Sequence, residues 1–404
     1  MLNVGIDPAK NSAVARLVDH TATSLDATIK FSSDRPGIDK LIRRVEKLDA
    51  SGQCHFFVEA SGRYWYSIAG LLQEAGQQVS LIAPSYTKAQ RKASSPHAKS
   101  DAKDADALAR APFNMGDKAR HPADVPDGDR LQLQLLTRER RGLEEDATRI
   151  KQAVVDLLHL TSPGLTDIIG KELQPAIREF IVKYPMVDRL PKLGEKRLAA
   201  FLEKRLGKRF DPAMVGKLLH LAKTAFCPPG LDPKDIGDQF KRDFDRLELL
   251  ETQIKHLDRE IGALEKKCDP EGLARSIPGF GKVVAPILLA DAGTDLSRFP
   301  DSKRFCGWTG LVAKASGTNG KQVDGMSITK AGRAQVKWAL YMAARVAVQH
   351  DPDCKEMYER LLDDGKHYNL AINAVAHKLA RIYYAVMTEE RPYQPRTEKA
   401  LDDS

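Results

Sequence analysis

The sequence predicts a mixed α/β N-terminal region followed by a chain that is mainly helical. Three observations support this fold class. Short apolar runs alternate with helical patterns over residues 1–125. In two long polar stretches between residues 126 and 268, leucine and isoleucine recur every seven residues. Residues 269–389 show loop-and-helix patterns, and residues 390–404 form a polar, proline-containing tail that we expect to be flexible.

The elements of the first region follow from its pattern in chain order. Strands are predicted where apolar residues form short runs, and helices where they recur at intervals of three and four. Alternation of the two favours a partly parallel sheet covered by helices. The predicted strands are 2–6, 12–18, 27–31, 54–58 and 78–83, and the predicted helices are 38–48, 66–74 and 101–111.

The middle region, residues 126–268, is predicted to be a helical coiled-coil spacer. One series of apolar residues at seven-residue intervals is Leu136, Leu143, Ile150 and Leu157. Two further series interleave, namely Leu247, Ile254 and Ile261 with Leu250, Leu257 and Leu264. Such spacing is typical of a coiled coil, either an antiparallel hairpin or a dimerising arm, and ordinary amphipathic helices of a bundle are the alternative. A helical insert of unassigned role, at about 165–235, separates the two stretches.

Composition narrows the classes of function. The chain has 404 residues and a formal net charge of +8. No apolar run approaches the roughly 20 residues that cross a bilayer, and the N-terminus has no signal-peptide pattern. Five cysteines without a CxxC pair argue against a disulfide framework and a zinc knuckle. We therefore expect a cytoplasmic protein with no membrane partner.

Two basic stretches are candidate contacts for a phosphate backbone. Between Lys303 and Arg345 there are eight lysine and arginine residues against Asp324 alone. A smaller cluster precedes and overlaps the start of the predicted helix 101–111. From these stretches the candidate nucleic-acid-binding residues are Lys88, Arg91, Lys92, Lys99, Lys314, Lys321, Lys330, Arg333 and Lys337.

Four carboxylates in the first region could form a metal site. Asp7 and Glu59 each follow a predicted strand, and Asp101 and Asp104 are three residues apart, so they share a helix face. Hard oxygen ligands suit Mg²⁺ or Mn²⁺, and two such ions can activate a nucleophile and stabilise a leaving oxygen on a phosphodiester. Turn residues or a solvated helix face are the alternative.

A glycine-containing turn precedes the apolar helix predicted at 283–290. Gly279 and Gly281 flank Phe280, and Lys282 follows. This is the form of a helix-hairpin-helix loop, which offers backbone N–H groups to a phosphate at a helix N-terminus. A tight turn with glycine in the left-handed region is the alternative.

Ser316 lies in a small polar loop within the larger basic stretch, between alanine and glycine. A serine needs a base or a metal to act as a nucleophile, and no histidine lies nearby in the sequence. On pattern alone, Ser316 is no better a candidate than Ser302 or Ser327.

The combination resembles one known family. Gly5-Ile6-Asp7, Val58–Gly62 and Lys99–Ala105 resemble the four-acid pattern of the insertion-sequence one-ten family of transposases. Its C-terminal transposase domain is similar in the segments Ser276–Gly281, Gly310-Leu311, Ala315-Ser316-Gly317 and Ile328–Gly332. Two positions depart from the family pattern. The family usually has a proline soon after the Gly-Leu pair, whereas here Val312-Ala313 follows Leu311. The family commonly has arginine at the position of Lys337.

The resemblance implies an N-terminal RuvC-like domain of the ribonuclease-H type, with Asp7, Glu59, Asp101 and Asp104 as its metal ligands. It implies that Ser316 attacks DNA to form a phosphoserine link, with the acids and the serine contributed by different subunits of a dimer or tetramer. It also implies donor and target DNA as partners, a structured noncoding guide RNA, and action at the nucleoid of a prokaryote.

Three hypotheses follow from the sequence. The leading one is a transposase that acts as a serine-type DNA recombinase with divalent metal, and a DNA invertase is a variant within the same family. A metal-dependent RuvC-like junction nuclease would need the four acids but not Ser316. A non-catalytic nucleic-acid-binding protein would use only the basic stretches.

Overall fold

A computed structural model describes residues 2–25, 28–48, 54–94, 100–119, 122–170, 172–311 and 332–395. Contacts divide the chain into two compact units. The N-terminal unit comprises Met1–Asp127 together with Ser297–Pro300, and the helical unit comprises Gly128–Leu296 and Asp301–Ser404. The predicted mixed α/β region followed by a mainly helical chain is confirmed.

The N-terminal unit contains one five-stranded sheet. Its strands are β1 (Leu2–Pro8), β2 (Ser12–Val18), β3 (Ile29–Ser32), β4 (Cys54–Glu59) and β5 (Gln78–Ile82). Their spatial order is β3-β2-β1-β4-β5. The first three strands form an antiparallel meander, while β4 and β5 run parallel to β1. All five strands were predicted. The strands β1, β4 and β5 are short, mainly apolar runs, whereas β2 and β3 each contain one basic residue.

Helices cover both faces of this sheet. They are α1 (Arg35–Leu48), α2 (Trp65–Glu74), α3 (Pro84–Ser94), α4 (Asp101–Ala109) and α5 (Ala111–Met115). On one face, Ile38 of α1 and Ile68 of α2 pack in one core with Val4 and Ile6 of β1. On the other face, Leu108 of α4 packs with Phe57 of β4. The helix α3 was not predicted, because its residues are mainly polar and basic.

Two long helices dominate the second unit. They are α6 (Gly128–Thr161) and α11 (Pro233–Cys268), and they pack along one another. Their ion pairs run in opposite order along the two helices: Asp129 with Lys267 at 3.6 Å, Arg140 with Asp258 at 2.6 Å, and Lys151 with Glu251 at 4.0 Å. The two helices are therefore antiparallel within one chain.

The apolar face of α11 follows the predicted heptads more closely than that of α6. Five of the six α11 residues are buried, and Leu250 is partly buried. In α6, Ile150 is buried as predicted, but Leu136, Leu143 and Leu157 are only partly buried. The buried residues near Ile150 are instead Ala147, Val154 and Leu158. A coiled coil in the strict sense stays a prediction.

Between the two long helices lies a bundle of short ones: α7 (Leu165–Ile169), α8 (Pro175–Lys183), α9 (Glu195–Leu206) and α10 (Pro212–Thr224). They share one core with the second half of α6 and the first half of α11. The predicted helical insert is therefore present, and it packs on the two helices that flank it.

The rest of the helical unit contains α12 (Leu273–Ser276), α13 (Val284–Ala292), α14 (Ser302–Thr309), α15 (Ala334–His350), α16 (Pro352–Asp363) and α17 (Tyr368–Glu389). Since α12 is a single turn, the predicted helix-hairpin-helix element stays a prediction. In the predicted tail, the Tyr393 hydroxyl donates to Asp351 at 2.9 Å and its N–H donates to Ser276 at 2.9 Å, so this part is held against the helices. No described helix is long and apolar enough to cross a membrane.

Candidate functional site

Two of the predicted metal-binding acids end neighbouring parallel strands. Ile6 of β1 lies opposite Val58 of β4, and Asp7 and Glu59 are the next residues along. Side chains alternate between the two faces of a sheet. Glu59 therefore shares a face with Phe57, which packs against α4, and Asp7 shares a face with Gly5. Both acids are partly buried.

Gly5 allows α4 to lie directly on β1. A Cβ atom at this position would be 2.0 Å from the carbonyl oxygen of Ala105 and 2.3 Å from the amide nitrogen of Ala109. Only a residue without a side chain fits so close an approach. The face of β1 that carries Gly5 and Asp7 is thus the face that α4 covers.

The direction of α4 brings its acidic first turn towards the end of β1. At the other end of the helix, Arg110 donates to the carbonyl oxygen of Ala22 at 2.7 Å. Ala22 follows β2, whose last residue, Val18, lies opposite Asn3 near the start of β1. The helix therefore runs antiparallel to β1, and its N-terminus lies on the side of Asp7.

Asp101 and Asp104 occupy the first turn of α4, as predicted. The helix begins after Ser100, whose hydroxyl accepts a hydrogen bond from the Lys103 N–H at 3.3 Å. Asp104 is 5% exposed and Asp101 is exposed. Three acids, Asp7, Glu59 and Asp104, therefore lie on one face and towards one edge of the sheet, with Asp101 at the rim.

Asp106, two residues after Asp104 on α4, makes ion pairs of its own. Its carboxylate pairs with Arg110 at 2.6 Å and lies 3.9 Å from Arg16. Its charge is therefore balanced by two guanidinium groups of the same unit.

Thr87 is a neighbour of Glu59 that the sequence did not indicate. It is 1% exposed, and its hydroxyl donates to Glu59 at 2.7 Å and to the carbonyl oxygen of Pro84 at 3.0 Å. The Thr87 hydroxyl fixes the orientation of the Glu59 carboxylate. No motif could have revealed this contact, because it depends on how α3 packs beside β4.

The same helix carries part of the smaller basic cluster. Lys88 and Lys92 are exposed on α3, the helix that contributes Thr87 to Glu59. Lys99 and the side chain of Arg91 lie outside the described residues. The described part of the cluster is therefore adjacent to the acids in the fold as well as in the sequence.

The donor set suits a hard cation, although the acids are not gathered around one point. Within the described ranges, no three aspartate, glutamate, histidine or cysteine side chains are close enough together to hold a metal ion as they stand. All four predicted ligands are carboxylates, the donors that Mg²⁺ and Mn²⁺ prefer.

Ser316, Lys314, Lys321 and Lys330 lie outside the described residues. The residues that flank this segment are in contact with each other. A Cβ atom at Gly332, where φ is +87°, would be 2.5 Å from the Cα atom of Gly310. The chain therefore leaves the described helices and re-enters them at a single place.

Arg333, predicted to contact nucleic acid, is held by its own unit. Its guanidinium is 3.3 Å from the buried Asp291 carboxylate and lies over the Trp308 ring at 4.7 Å. Asp291, on α13, also pairs with Arg138 at 3.2 Å and accepts a hydrogen bond from Gln134 at 3.0 Å. These contacts fix the start of α15, immediately after the segment that carries Ser316.

In the glycine turn before α13, Gly279 packs closely against α15. Gly279 has a φ of +80°, and a Cβ atom there would be 2.2 Å from the carbonyl oxygen of Ala343 on α15. Nothing lies within 4 Å of the corresponding point at Gly281. Lys282 lines a cavity of about 540 Å³ together with Arg140, Arg141 and Trp338. Lys337, on α15, is partly buried.

Two family models match separate parts of this chain. Residues 4–163 match the family model DEDD_Tnp_IS110, which is described as a transposase. Residues 272–359 match the model of the IS116/IS110/IS902 transposase family. The two models cover the acids of the first unit and the helices around the Ser316 segment. These matches define the class of protein as a transposase.

Relatives match along nearly the whole chain. One is the insertion element IS116 44.8 kDa protein of Streptomyces clavuligerus, 26% identical over 97% of this chain and 96% of the relative. Another is a probable family 20 transposase of Pseudomonas aeruginosa, 25% identical over 97% and 98%. The pilin gene-inverting protein of Moraxella lacunata is 23% identical over 97% and 98%. The chain belongs to the IS116/IS110/IS902 transposase family.

Proposed function

We propose that this transposase cuts and rejoins DNA through a phosphoserine link at Ser316, assisted by divalent metal ions held by Asp7, Glu59, Asp101 and Asp104. The observation that carries the proposal is the register of β1 with β4 and the seat of α4 on Gly5. That arrangement puts Asp7, Glu59 and Asp104 on one face of the sheet. The sheet order and strand directions support the RuvC-like, ribonuclease-H-type fold that the resemblance implies.

The metal part of the proposal assigns one task to each group of residues. Mg²⁺ or Mn²⁺ bound by the four carboxylates would supply Lewis-acid stabilisation of charge on the phosphodiester. Thr87 would hold Glu59 in one orientation, because its hydroxyl already donates to that carboxylate. Lys88 and Lys92 would hold the adjoining backbone phosphates.

The serine step conserves the phosphoester bond. The Ser316 oxygen loses its proton and bonds to phosphorus, while the bond from phosphorus to a deoxyribose oxygen breaks and that oxygen takes up a proton. A hydroxyl of another strand end then attacks the phosphoserine and restores the serine. The number of phosphoester bonds is unchanged, so joining needs no nucleotide cofactor. The chain contains no P-loop pattern.

Partners beyond DNA rest on the family resemblance. A structured noncoding guide RNA would select donor and target DNA, and the protein would act at the nucleoid in the cytoplasm. A homo-oligomer, dimer or tetramer, would bring the acids of one subunit to the serine of another, with α6 and α11 supporting assembly as a coiled coil. The resemblance to a pilin gene-inverting protein makes inversion of a DNA segment the second candidate activity.

Substitution of Ser316 tests the mechanism. With an element junction, a target and the guide RNA, we expect Ser316→Ala to abolish both strand joining and the covalent protein–DNA adduct seen on denaturing gels. DNA binding should persist. Ser302→Ala is the matched control and should retain the adduct. A Ser316→Ala protein that still joins strands would exclude the serine mechanism and leave the junction nuclease.

Metal binding needs its own arm of this experiment. We expect Mg²⁺ or Mn²⁺ to raise the melting temperature of the full chain, because a ligand that binds only the folded state stabilises it. Asp7→Asn and Asp104→Asn should remove this increase and abolish strand joining. Asp106→Asn should retain both the increase and strand joining. An unchanged metal response in both of the first two variants would remove the metal from the proposal.

A further inference from the structure

A basic groove lies in the N-terminal unit, away from the acids. It has a volume of about 520 Å³ and is formed by the start of β3, an edge strand, and by α1. Seven described residues line it, of which five are lysine or arginine and none is acidic. The lining residues are Thr28, Ile29, Lys30, Lys40, Arg43, Arg44 and Lys47.

The pattern of α1 explains why these cations line up. Ile38, Leu41 and Val45 form its buried face, each 3% exposed or less. The basic residues recur at positions 40, 43, 44 and 47, a three- and four-residue spacing that places them on one stripe. This stripe faces away from the core. From Lys40 to Lys47 it extends roughly 10 Å along the helix, about the span of three phosphates along one DNA strand.

The edge strand adds charge from a second element. Lys30 is exposed, while its neighbour Phe31 is buried in the core. The acidic residues of α1, Asp39 and Glu46, are exposed but do not line the groove. Among the residues that the structure describes, the groove has cations on both sides and no carboxylate between them. This lining suits a polyanion better than a protein surface of mixed charge.

The groove is distinct from the C-terminal ends of β1 and β4, where Asp7 and Glu59 lie. The helix α1 packs on the sheet face that carries Val4 and Ile6, whereas α4 and its acids belong to the opposite face. Two strands of the sheet order, β2 and β1, separate β3 from β4. A nucleic acid in this groove would therefore be a separate stretch from the phosphodiester at the acids.

We propose that this groove binds the phosphodiester backbone of a nucleic acid without reading its sequence. The described lining residues include no aromatic side chain that could stack on a base. Contacts of lysine and arginine with a backbone carry no sequence information. The inference rests on the nucleic-acid-binding part of the proposed function, and not on Ser316 or on a metal. DNA and RNA share this chemistry, so the experiment has an arm for each.

The test neutralises the helix stripe in the full chain with Lys40→Gln, Arg43→Gln and Lys47→Gln together. Binding is measured by fluorescence anisotropy between 0.05 and 0.4 M salt, with a DNA duplex, an RNA duplex and a single-stranded RNA of unrelated sequences. Counterion release amounts to about fivefold in affinity per phosphate contact at 0.15 M salt. We expect roughly 100-fold weaker binding and a salt slope smaller by about 3 for at least one of these ligands, whatever its sequence.

Two controls separate a local effect from a change of net charge. Arg35→Gln, Arg246→Gln and Lys355→Gln together remove the same charge from exposed residues that already pair with carboxylates. This variant should bind like the parent, and so should Lys40→Arg with Lys47→Arg. Lys47→Gln alone should weaken binding about fivefold, which guards against misfolding of the triple variant.

The ligand that the triple variant binds more weakly than the parent shows whether the groove binds a DNA or an RNA backbone. Unchanged binding of all three ligands, an equal loss in the paired-residue control, or no binding by the parent would overturn the inference. Adduct formation by the parent is scored separately. A parent protein that forms the Ser316 adduct but shows no groove effect would contradict this inference alone. A parent protein that shows the groove effect but forms no adduct would contradict only the serine mechanism.

Discussion

At the scale of single residues, Gly5 sets how closely α4 approaches the sheet. The space that a methyl group would need is taken by the backbone of Ala105 and Ala109. Backbone atoms of a packed helix cannot move aside as the end of a flexible side chain can. Gly5 therefore determines the distance between Asp104 and β1, the strand that carries Asp7.

We expect Gly5→Ala to lower the free energy of unfolding of the N-terminal unit by roughly 1–3 kcal/mol, because α4 must lift away from β1. Gly70→Ala is the matched control. Gly70 lies inside α2, and a Cβ atom there would meet only Val125, at 3.8 Å. The control should be neutral or up to about 1 kcal/mol stabilising. Scanning calorimetry of the full chain measures both, and equal melting temperatures would show that α4 can adapt.

The acids and their neighbours show which residues a sequence can reveal. Asp7 and Glu59 could be predicted, because each follows a run of strand residues and strand ends are visible in the pattern. Asp104 could be paired with Asp101 by helix spacing alone. Thr87 could not be found, since its role depends on a contact across 28 positions of chain. The role of Ser316 was predicted from the resemblance alone, and Ser316 lies outside the described residues.

At the scale of elements, the antiparallel pair of α6 and α11 organises the helical unit. The period of α11 was readable, because most of its apolar residues lie on one stripe that is buried along its length. The pattern of α6 was misleading at Leu136, Leu143 and Leu157. Around Ile150 this helix packs on the short helices as well as on α11, so its buried face is turned relative to the heptad series.

Leu247 and Leu249 on α11 offer a direct test of this packing. Leu247 is fully buried in the shared core, whereas Leu249 is 58% exposed. We expect Leu247→Ala to lower the free energy of unfolding by about 2–5 kcal/mol, because it leaves a cavity. Leu249→Ala should change it by no more than about 0.5 kcal/mol. Urea unfolding followed by circular dichroism at 222 nm measures the difference, and similar values for the two variants would contradict this packing.

At the scale of the whole molecule, the N-terminal unit is not continuous in sequence. Ser297–Pro300, which lies between α13 and α14, belongs to it. Arg298 pairs with Asp124 at 3.1 Å, and the two side chains are 14% and 17% exposed. The sequence suggested a simple boundary near residue 125, because a contact between residues so far apart along the chain leaves no local pattern.

The position of Ser297–Pro300 in the N-terminal unit predicts that a substitution there changes the stability of this unit. Arg298→Met keeps most of the side-chain volume but removes one partner of a largely buried carboxylate, which costs about 1–3 kcal/mol. Because Asp124 belongs to the N-terminal unit, we expect faster hydrogen exchange in peptides from β4 and β5, measured by mass spectrometry. Peptides from the middle of α11 should keep their protection.

Arg246→Met supplies the contrast for this prediction. It breaks an ion pair with Asp243 at 3.5 Å in which the arginine side chain is 69% exposed. Exposed pairs of this kind contribute about 0–1 kcal/mol, so exchange should change little in either unit. If Arg298→Met leaves β4 and β5 as protected as Arg246→Met does, the segment 297–300 adds nothing to the stability of the N-terminal unit. If only Arg298→Met speeds hydrogen exchange in β4 and β5, the segment 297–300 stabilises the sheet that carries Asp7 and Glu59.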